Sequence, residues 1–249
     1  MTRPGKKRLD LLLVERGLFD SRTKAQAALM AGKVEVPGRP RPKAGDLVDE
    51  GAELVLLEDA VPFVSRGGLK LQSALERFAL QCAGRVAADI GASTGGFTDC
   101  LLQHGALKVF AVDVGRGQLD ARLRADPRVV NMEKTHASRL PPDAFGASAG
   151  RPDLAVVDVS FISATKVLPA LLACLKRPCE LVVLVKPQFE LEPKKVPKGV
   201  VRKDEHRQEA LARVRAVCAE LRLEERGCMD CPVKGPKGNV EFLLYLCRE

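Results

Sequence analysis

The run Leu181-Val182-Val183-Leu184-Val185 leaves this chain few ways to fold. Five consecutive branched apolar residues, with no polar alternation, do not suit a strand with one wet face. They read as a strand covered on both faces, as inside a parallel sheet. Such a strand needs helices above and below it, and so a chain that alternates the two elements. The run ends in Lys186-Pro187. A lysine is costly to bury, yet one stands at the mouth of this strand, where proline fixes the φ of the next residue.

The required alternation fills the chain beyond residue 84. Strands are expected at Arg85–Gly91, Val109–Gly115, Arg128–Met132, Leu154–Phe161 and Glu180–Phe189. Helices fall between them at Gly96–Gln103, Gln118–Arg124 and Ala164–Leu175, and the segment 141–151 is too rich in Gly and Pro for a helix. A long helix, Glu205–Leu223, precedes two strands around Arg226–Cys231 and Val240–Leu246. The fold class is α/β, a doubly wound Rossmann-like sheet whose ligands sit beyond the carboxyl ends of its strands.

Residues 1–60 read differently, as helix, helix, hairpin. A helix Leu9–Arg16 stops at Gly17. Ser21 caps a second helix with Ala25, Ala28 and Leu29 on one face and Gly32 as its end. Val34–Val36, a turn-rich stretch 37–42 and a strand Leu54–Leu57 follow. The division is a small α+β domain at 1–60, a linker at 61–64 and a large domain at 65–249. Of the net charge of +8, residues 1–45 carry almost all, with eleven Lys or Arg against four Asp or Glu. A basic lobe on a neutral body suits a polyanion, nucleic acid first, or else a plain soluble surface. With no Trp and one Tyr, base stacking is not the main device. No stretch approaches the roughly 18 apolar residues of a membrane span, and the first residues do not read as a signal peptide. A cytoplasmic protein with no membrane partner is expected. The eight cysteines fall mostly in apolar patterns, and the single Cys228-x-x-Cys231 lacks a second pair, so no metal is expected.

The first strand of the large domain runs into Asp89-Ile90-Gly91-Ala92-Ser93-Thr94-Gly95-Gly96-Phe97. The glycines allow a sharp turn and a close backbone approach at a helix N-terminus. The spacing D-x-G-x-x-x-G differs from the dinucleotide fingerprint G-x-G-x-x-G. Asp113 ends the second strand, where a carboxylate accepts ribose hydroxyls, and Asp89 can face a cationic amine. A ligand with a ribose, an amine and no phosphates fits, which points to S-adenosylmethionine; a purely structural glycine turn is the alternative. Lys186 and Asp158 end adjacent strands at the same crevice. Lys186 reads either as a base for a methyl acceptor, with Asp158 orienting its amine, or as half of a salt bridge closing the sheet. Lys70 in Ser65-Arg66-Gly67-Gly68-Leu69-Lys70 and Glu241 in an apolar final strand point to the same place.

With these residues together, two resemblances become specific. Arg8-Leu9-Asp10, Gly17-Leu18, Ser21-Arg22, Ala25 and Gly32-Lys33-Val34 resemble the S-four (αL) RNA-binding domain. The large domain resembles the FtsJ-type ribose 2′-O-methyltransferases and their Lys–Asp–Lys–Glu tetrad, met in order by Lys70, Asp158, Lys186 and Glu241. The whole chain is similar to the TlyA (hemolysin A) family of rRNA cytidine 2′-O-methyltransferases through VSRGGLKL, DIGASTGGFTDCLL, AVDVGRGQL, VDVSFIS, LVKPQFE and GPKGNVEF. The resemblance implies Lys186 as base or relay, Asp158 and Lys70 ordering the 2′-hydroxyl, and Glu241 holding Lys70. It implies cofactor contacts from Asp89, Gly91, Ala92, Ser93, Gly95, Gly96, Phe97, Asp113 and Val114. Arg8, Arg22, Lys33, Lys43 and Lys134 are the RNA-binding candidates, and ribosomal RNA or ribosomal subunits the partner of a chain taken as a monomer. Where the family reads Glu-Arg-Thr-Asn-x-Arg, this chain has Glu133-Lys134-Thr135-His136-Ala137-Ser138. The segment 194–207 holds six basic residues, suited to RNA or to solvent. A silent rRNA-binding or assembly factor is the alternative function, and a hemolysin a further one.

Overall fold

The computed structural model describes residues 5–19, 21–56, 62–146 and 150–249. The chain divides into two compact units, Met1–Pro62 and Phe63–Glu249.

In the smaller unit β1 (Lys6–Arg8) leads into α1 (Leu9–Glu15), and α2 (Arg22–Met30), β2 (Val34–Glu35), β3 (Leu47–Asp49) and β4 (Val55–Leu56) follow. Ser21 caps α2 by accepting a hydrogen bond from Lys24 N, and Gly32 ends that region at φ +72°. Leu9, Leu13, Ala25, Leu29 and Val34 form the core. β1 pairs antiparallel with β3 and β2 with β4. The first pair was not expected, because Lys6-Lys7-Arg8 has no apolar alternation. Leu57 of the expected strand and residue 61 of the expected linker lie outside the described residues. Phe63 and Val64 are not linker: Phe63 is buried with its ring against Gly68, and Val64 N donates to Asp99 Oδ2 at 2.8 Å within the larger unit.

The larger unit runs α3 (Gly67–Phe78), β5 (Val86–Ile90), α4 (Gly96–Gln103), β6 (Lys108–Val112), α5 (Ala121–Ala125), β7 (Val129–Met132), β8 (Leu154–Val157), α6 (Leu168–Cys174), β9 (Cys179–Val185), α7 (Pro187–Glu190), α8 (Asp204–Glu220), β10 (Glu224–Asp230) and β11 (Phe242–Arg248). They form a seven-stranded sheet ordered β10-β11-β9-β8-β5-β6-β7. β9, β8, β5, β6 and β7 are parallel, and β11 runs antiparallel between β9 and β10. Every side chain from Leu181 to Val185 is at most 1% exposed. Burying five such residues contributes on the order of 10 kcal/mol.

Several elements are shorter than their apolar patterns. β8 stops at Val157, which leaves Asp158–Phe161 as a loop, and β9 stops at Val185. Pro187 has no N–H for a ladder and its φ suits the first position of a helix, so the four residues from Pro187 to Glu190 form α7. α5 starts at Ala121 because the Asp120 side chain accepts from Arg122 N. Glu241 lies just before β11 rather than inside it. The order reverses between β5 and β8, and the crevice beyond their carboxyl ends is where ligands of such sheets bind.

Candidate active site

Gly91 leaves β5 at φ +90°, where a Cβ would stand 2.4 Å from the Asp158 carbonyl oxygen. Only a glycine lets this loop lie flat against the end of β8. At Gly96 a Cβ would meet Ser65 Oγ at 2.3 Å and Gly68 N at 2.9 Å. Gly67, Gly68 and Gly96 therefore seat the start of α3 on the start of α4, which carries Lys70 to the crevice.

Two cavities adjoin along this loop and share Gly91, Ser93 and Asp158. The first holds about 460 Å³ and includes Asp113, Val114 and the segment from Thr135 to Ser138. The Asp113 carboxylate accepts from Ser93 N at 2.8 Å and Gly115 N at 2.7 Å, which fixes its direction. Val114 beside it is 59% exposed, an apolar wall for a planar group. The second cavity, about 380 Å³, is lined by Ala92, Gly96 and Phe97 together with Lys70, Asp158 and Lys186. Both volumes lie within the usual range for small-molecule sites.

Two expected cofactor residues line neither cavity. A Cβ on Gly95 would strike Leu123 and Leu119, so this glycine serves packing. Asp89 is fully buried under the loop: its Oδ2 accepts from Thr98 Oγ1 at 2.6 Å and its Oδ1 has no partner. Burial pushes its carboxyl up to about 7, against the opposing Thr98 hydrogen bond. The folded state thus holds a proton that the unfolded chain releases near pH 4. Its contribution to stability is full below that pH and is lost as pH rises through about 7. Asp89→Asn is expected to flatten the decline of thermal stability between pH 5 and 8. A slope unchanged by the substitution would refute this assignment.

The four tetrad candidates meet at the second cavity. Lys186 Nζ lies 2.5 Å from Asp158 Oδ1 and donates to Ser160 Oγ at 2.9 Å. Lys70 Nζ donates to Glu241 Oε2 at 2.6 Å, a pair separated by 171 residues in sequence. Gln188 Nε2 donates to the other oxygen, Glu241 Oε1, at 3.2 Å. Glu241 itself is fully buried behind the cavity, and a Cβ on Gly235 would press into its carboxylate. Burial lowers the Lys70 ammonium, but Asp158 and Glu241 outweigh that and leave it above its ordinary value. Lys70 is therefore a fixed cation. Removing one partner of a buried pair typically costs 3–5 kcal/mol. Glu241→Gln is expected to lose about 3 kcal/mol and to misplace Lys70, read by thermal melting; a melting temperature within 2 °C of the parent would contradict the pairing.

Sequence reasoning missed Ser160, Gln188, Gln118 and Phe161 at this site. Phe161 is 93% exposed at φ +64° on the rim of the first cavity, with its ring 5.3 Å from that of Phe189. A bulky residue at positive φ is a genuine outlier, and a left-handed Phe with its face in water is a signal only the backbone reveals.

Four of the five RNA-binding candidates lie in the smaller unit and Lys134 in the larger. Arg8 and Arg22 both direct their guanidiniums at the buried carboxylate of Asp10, which also accepts from Gln26. The Arg8 hydrogen bonds lead in holding the Asp10 carboxyl well below the usual carboxylate range, against the effect of burial. The two arginines thus bind the start of α1 to α2 while staying about half exposed. Lys43 is exposed in the turn before β3. Lys33 follows α2, and Lys134, exposed at φ +56°, follows β7 in the larger unit.

A family model described as FtsJ-like methyltransferase matches residues 63–248, and one described as S4 domain matches residues 7–54. The chain is 47% identical over 241 residues to the 16S/23S rRNA (cytidine-2′-O)-methyltransferase TlyA of Mycobacterium tuberculosis, covering 96% of this chain and 89% of that protein. It is 38% identical to Hemolysin A of Brachyspira hyodysenteriae, over 96% of this chain and 98% of that one. A solved structure from Streptococcus thermophilus superposes with a TM-score of 0.77 at 41% identity, over 99% of this chain and 90% of its own. A methyltransferase structure from Mesorhizobium loti shares the fold alone, at a TM-score of 0.52 and 14% identity. No helix among the described residues is long and apolar enough to cross a membrane. The chain belongs to the TlyA family of FtsJ-like methyltransferases that carry an amino-terminal S4 domain.

Proposed function

We propose that this protein is an S-adenosylmethionine-dependent ribose 2′-O-methyltransferase acting on ribosomal RNA, at cytidine. The observation that carries the reading is the second cavity. Lys70, Asp158 and Lys186 face it together, with Glu241 behind Lys70. It opens into a first cavity whose Asp113 carboxylate suits a ribose diol and whose Val114 suits an adenine face. The residues present fit the cofactor: Gly91, Ser93, Asp113 and Val114 would hold its nucleoside half, and it supplies the methyl group.

The chain's own part is to hold the acceptor ribose and move one proton. A 2′-hydroxyl is a weak nucleophile until its proton has somewhere to go. Lys70 is held as an ammonium, so the hydroxyl proton is assigned to Lys186 Nζ, which enters the step as the free amine, with Asp158 and Ser160 aiming it. Lys70, steadied by Glu241, then faces the developing negative charge on the ribose oxygen. With the cofactor bound, its methyl group would be the electrophile for that oxygen, and the hydroxyl proton would stay on Lys186 Nζ. Phe161 offers an exposed ring to the target base, since base–aromatic stacking is worth about 1–3 kcal/mol.

The smaller unit supplies RNA affinity through shape and phosphate contacts. Removing residues 1–60 is expected to weaken RNA binding at least tenfold and to leave S-adenosylmethionine binding within twofold, measured by filter binding and calorimetry. Equal loss of both would overturn the separate docking role.

A further inference from the structure

The tripeptide Pro-Lys-Gly occurs at 197–199 and again at 236–238, and both copies fold alike. Each is one 3₁₀ turn with its lysine left-handed, Lys198 at φ 56° and ψ 23°, Lys237 at φ 57° and ψ 15°. The following glycines stand at φ +80° and +84°. A left-handed backbone costs a lysine roughly 1–2 kcal/mol, and it persists only where the surroundings impose it. They do so here by clasping the turns together. Asn239, 3% exposed, accepts from Val201 N at 3.0 Å and donates to Gly199 O at 2.9 Å. Lys237 Nζ donates to Lys198 O at 3.2 Å. Asn239 O in turn accepts from Gly235 N at 2.9 Å.

The clasp is continuous with the lip of the tetrad cavity, because Val233, Lys234 and Gly235 line that cavity. Its charges are of two kinds. Lys194 and Lys195 are paired with Glu192 and Glu209. Lys198, Arg202, Lys203 and Lys234 are exposed and make no ion pair among the described residues. Strained turns, a buried asparagine and unneutralised lysines beside a ribose site are an expensive arrangement for a plain solvated loop.

We infer that the paired turns are a clamp for the RNA backbone beside the target nucleotide, with Lys198 and Lys234 on phosphates and Asn239 as the positioning residue. This rests on the ribose-methylation reading. Every ribose within an RNA strand has a phosphate on each side, so Lys234 on the rim of the ribose pocket and Lys198 on the turn clasped behind it meet phosphates as the 2′-hydroxyl enters. An ammonium serves as a point charge for that purpose, and rigid turns spare the cost of ordering the loop on binding.

The test uses the full-length protein, ribosomal subunits carrying unmethylated rRNA, and labelled S-adenosylmethionine. Lys198→Ala combined with Lys234→Ala is expected to raise KM for RNA about tenfold with cofactor affinity unchanged. The slope of log affinity against log salt should fall by roughly 1.5, from two lost phosphate contacts. The double Lys→Arg variant should restore both. Asn239→Ala, which keeps every charge, should raise KM while the salt slope stays nearly that of the parent. An unchanged KM and salt slope in the double alanine variant would overturn the clamp. Wild-type protein that transfers no methyl would overturn the ribose-methylation reading instead, and the salt slope from equilibrium RNA binding would still decide the clamp.

Discussion

Lys186→Ala is expected to cut methyl transfer by about 10³-fold while leaving cofactor affinity within threefold. Positioned acid–base groups commonly contribute 10²–10⁴, and Lys186 is placed between Asp158 Oδ1 and Ser160 Oγ at the end of β9. The side chain is 9% exposed and lines the second cavity rather than the first, so its loss should fall on kcat and spare the nucleoside subsite. Lys186→Arg should not rescue activity, because a guanidinium stays protonated and cannot accept the hydroxyl proton. If Lys186 were only half of a structural salt bridge, arginine would restore the bridge and the rate with it. Single-turnover kinetics with saturating cofactor separate these outcomes.

Gly91→Ala is expected to be the most disruptive single methyl in the larger unit. Its Cβ would sit 2.4 Å from Asp158 O, 2.8 Å from Asp158 C and 3.2 Å from Val159 N, all backbone atoms. None can rotate away, so β8 must shift or the loop must lift. The positive φ adds strain of its own. A loss of about 3 kcal/mol or more follows, or roughly 6–12 °C in melting temperature for a domain of this size. Cofactor binding should fall with it, since the loop borders both cavities. Gly117→Ala is the control: its φ is +66°, but no atom lies within 4 Å of a Cβ. It should cost about 1 kcal/mol. Equal melting temperatures for the two variants would refute the close approach of Gly91 to β8.

Some of this architecture can be read before any coordinates. Leu181–Val185 announces a doubly covered strand because no other environment suits it, and Gly91 and Gly96 announce a tight loop because their spacing follows an apolar strand. The chemistry is less legible. Lys70 and Glu241 are brought together by the sheet order, not by spacing, and their pairing entered through family resemblance alone. From sequence, Asp89 suits a ligand-facing position because it stands near a strand end. It lies inside β5 beside Ala111, whereas Asp113 lies one residue past β6, level with Gly91. That offset of two residues along the sheet separates a buried carboxyl from a cavity wall. Ser160, Phe161 and Gln188 sit in irregular or one-turn segments, where neither period 2 nor period 3.6 marks a side chain as pointing anywhere. The pair β1 and β3 is too short and too charged to leave a hydrophobic pattern.

The most direct measurement is nucleoside mass spectrometry of ribosomal subunits lacking this modification, after incubation with S-adenosylmethionine and either the wild-type protein or Lys186→Ala. The account predicts 2′-O-methylcytidine from the wild type and none from the variant, with both proteins binding the subunits equally. A methyl group on a base, or equal 2′-O-methylcytidine from both proteins, would contradict it.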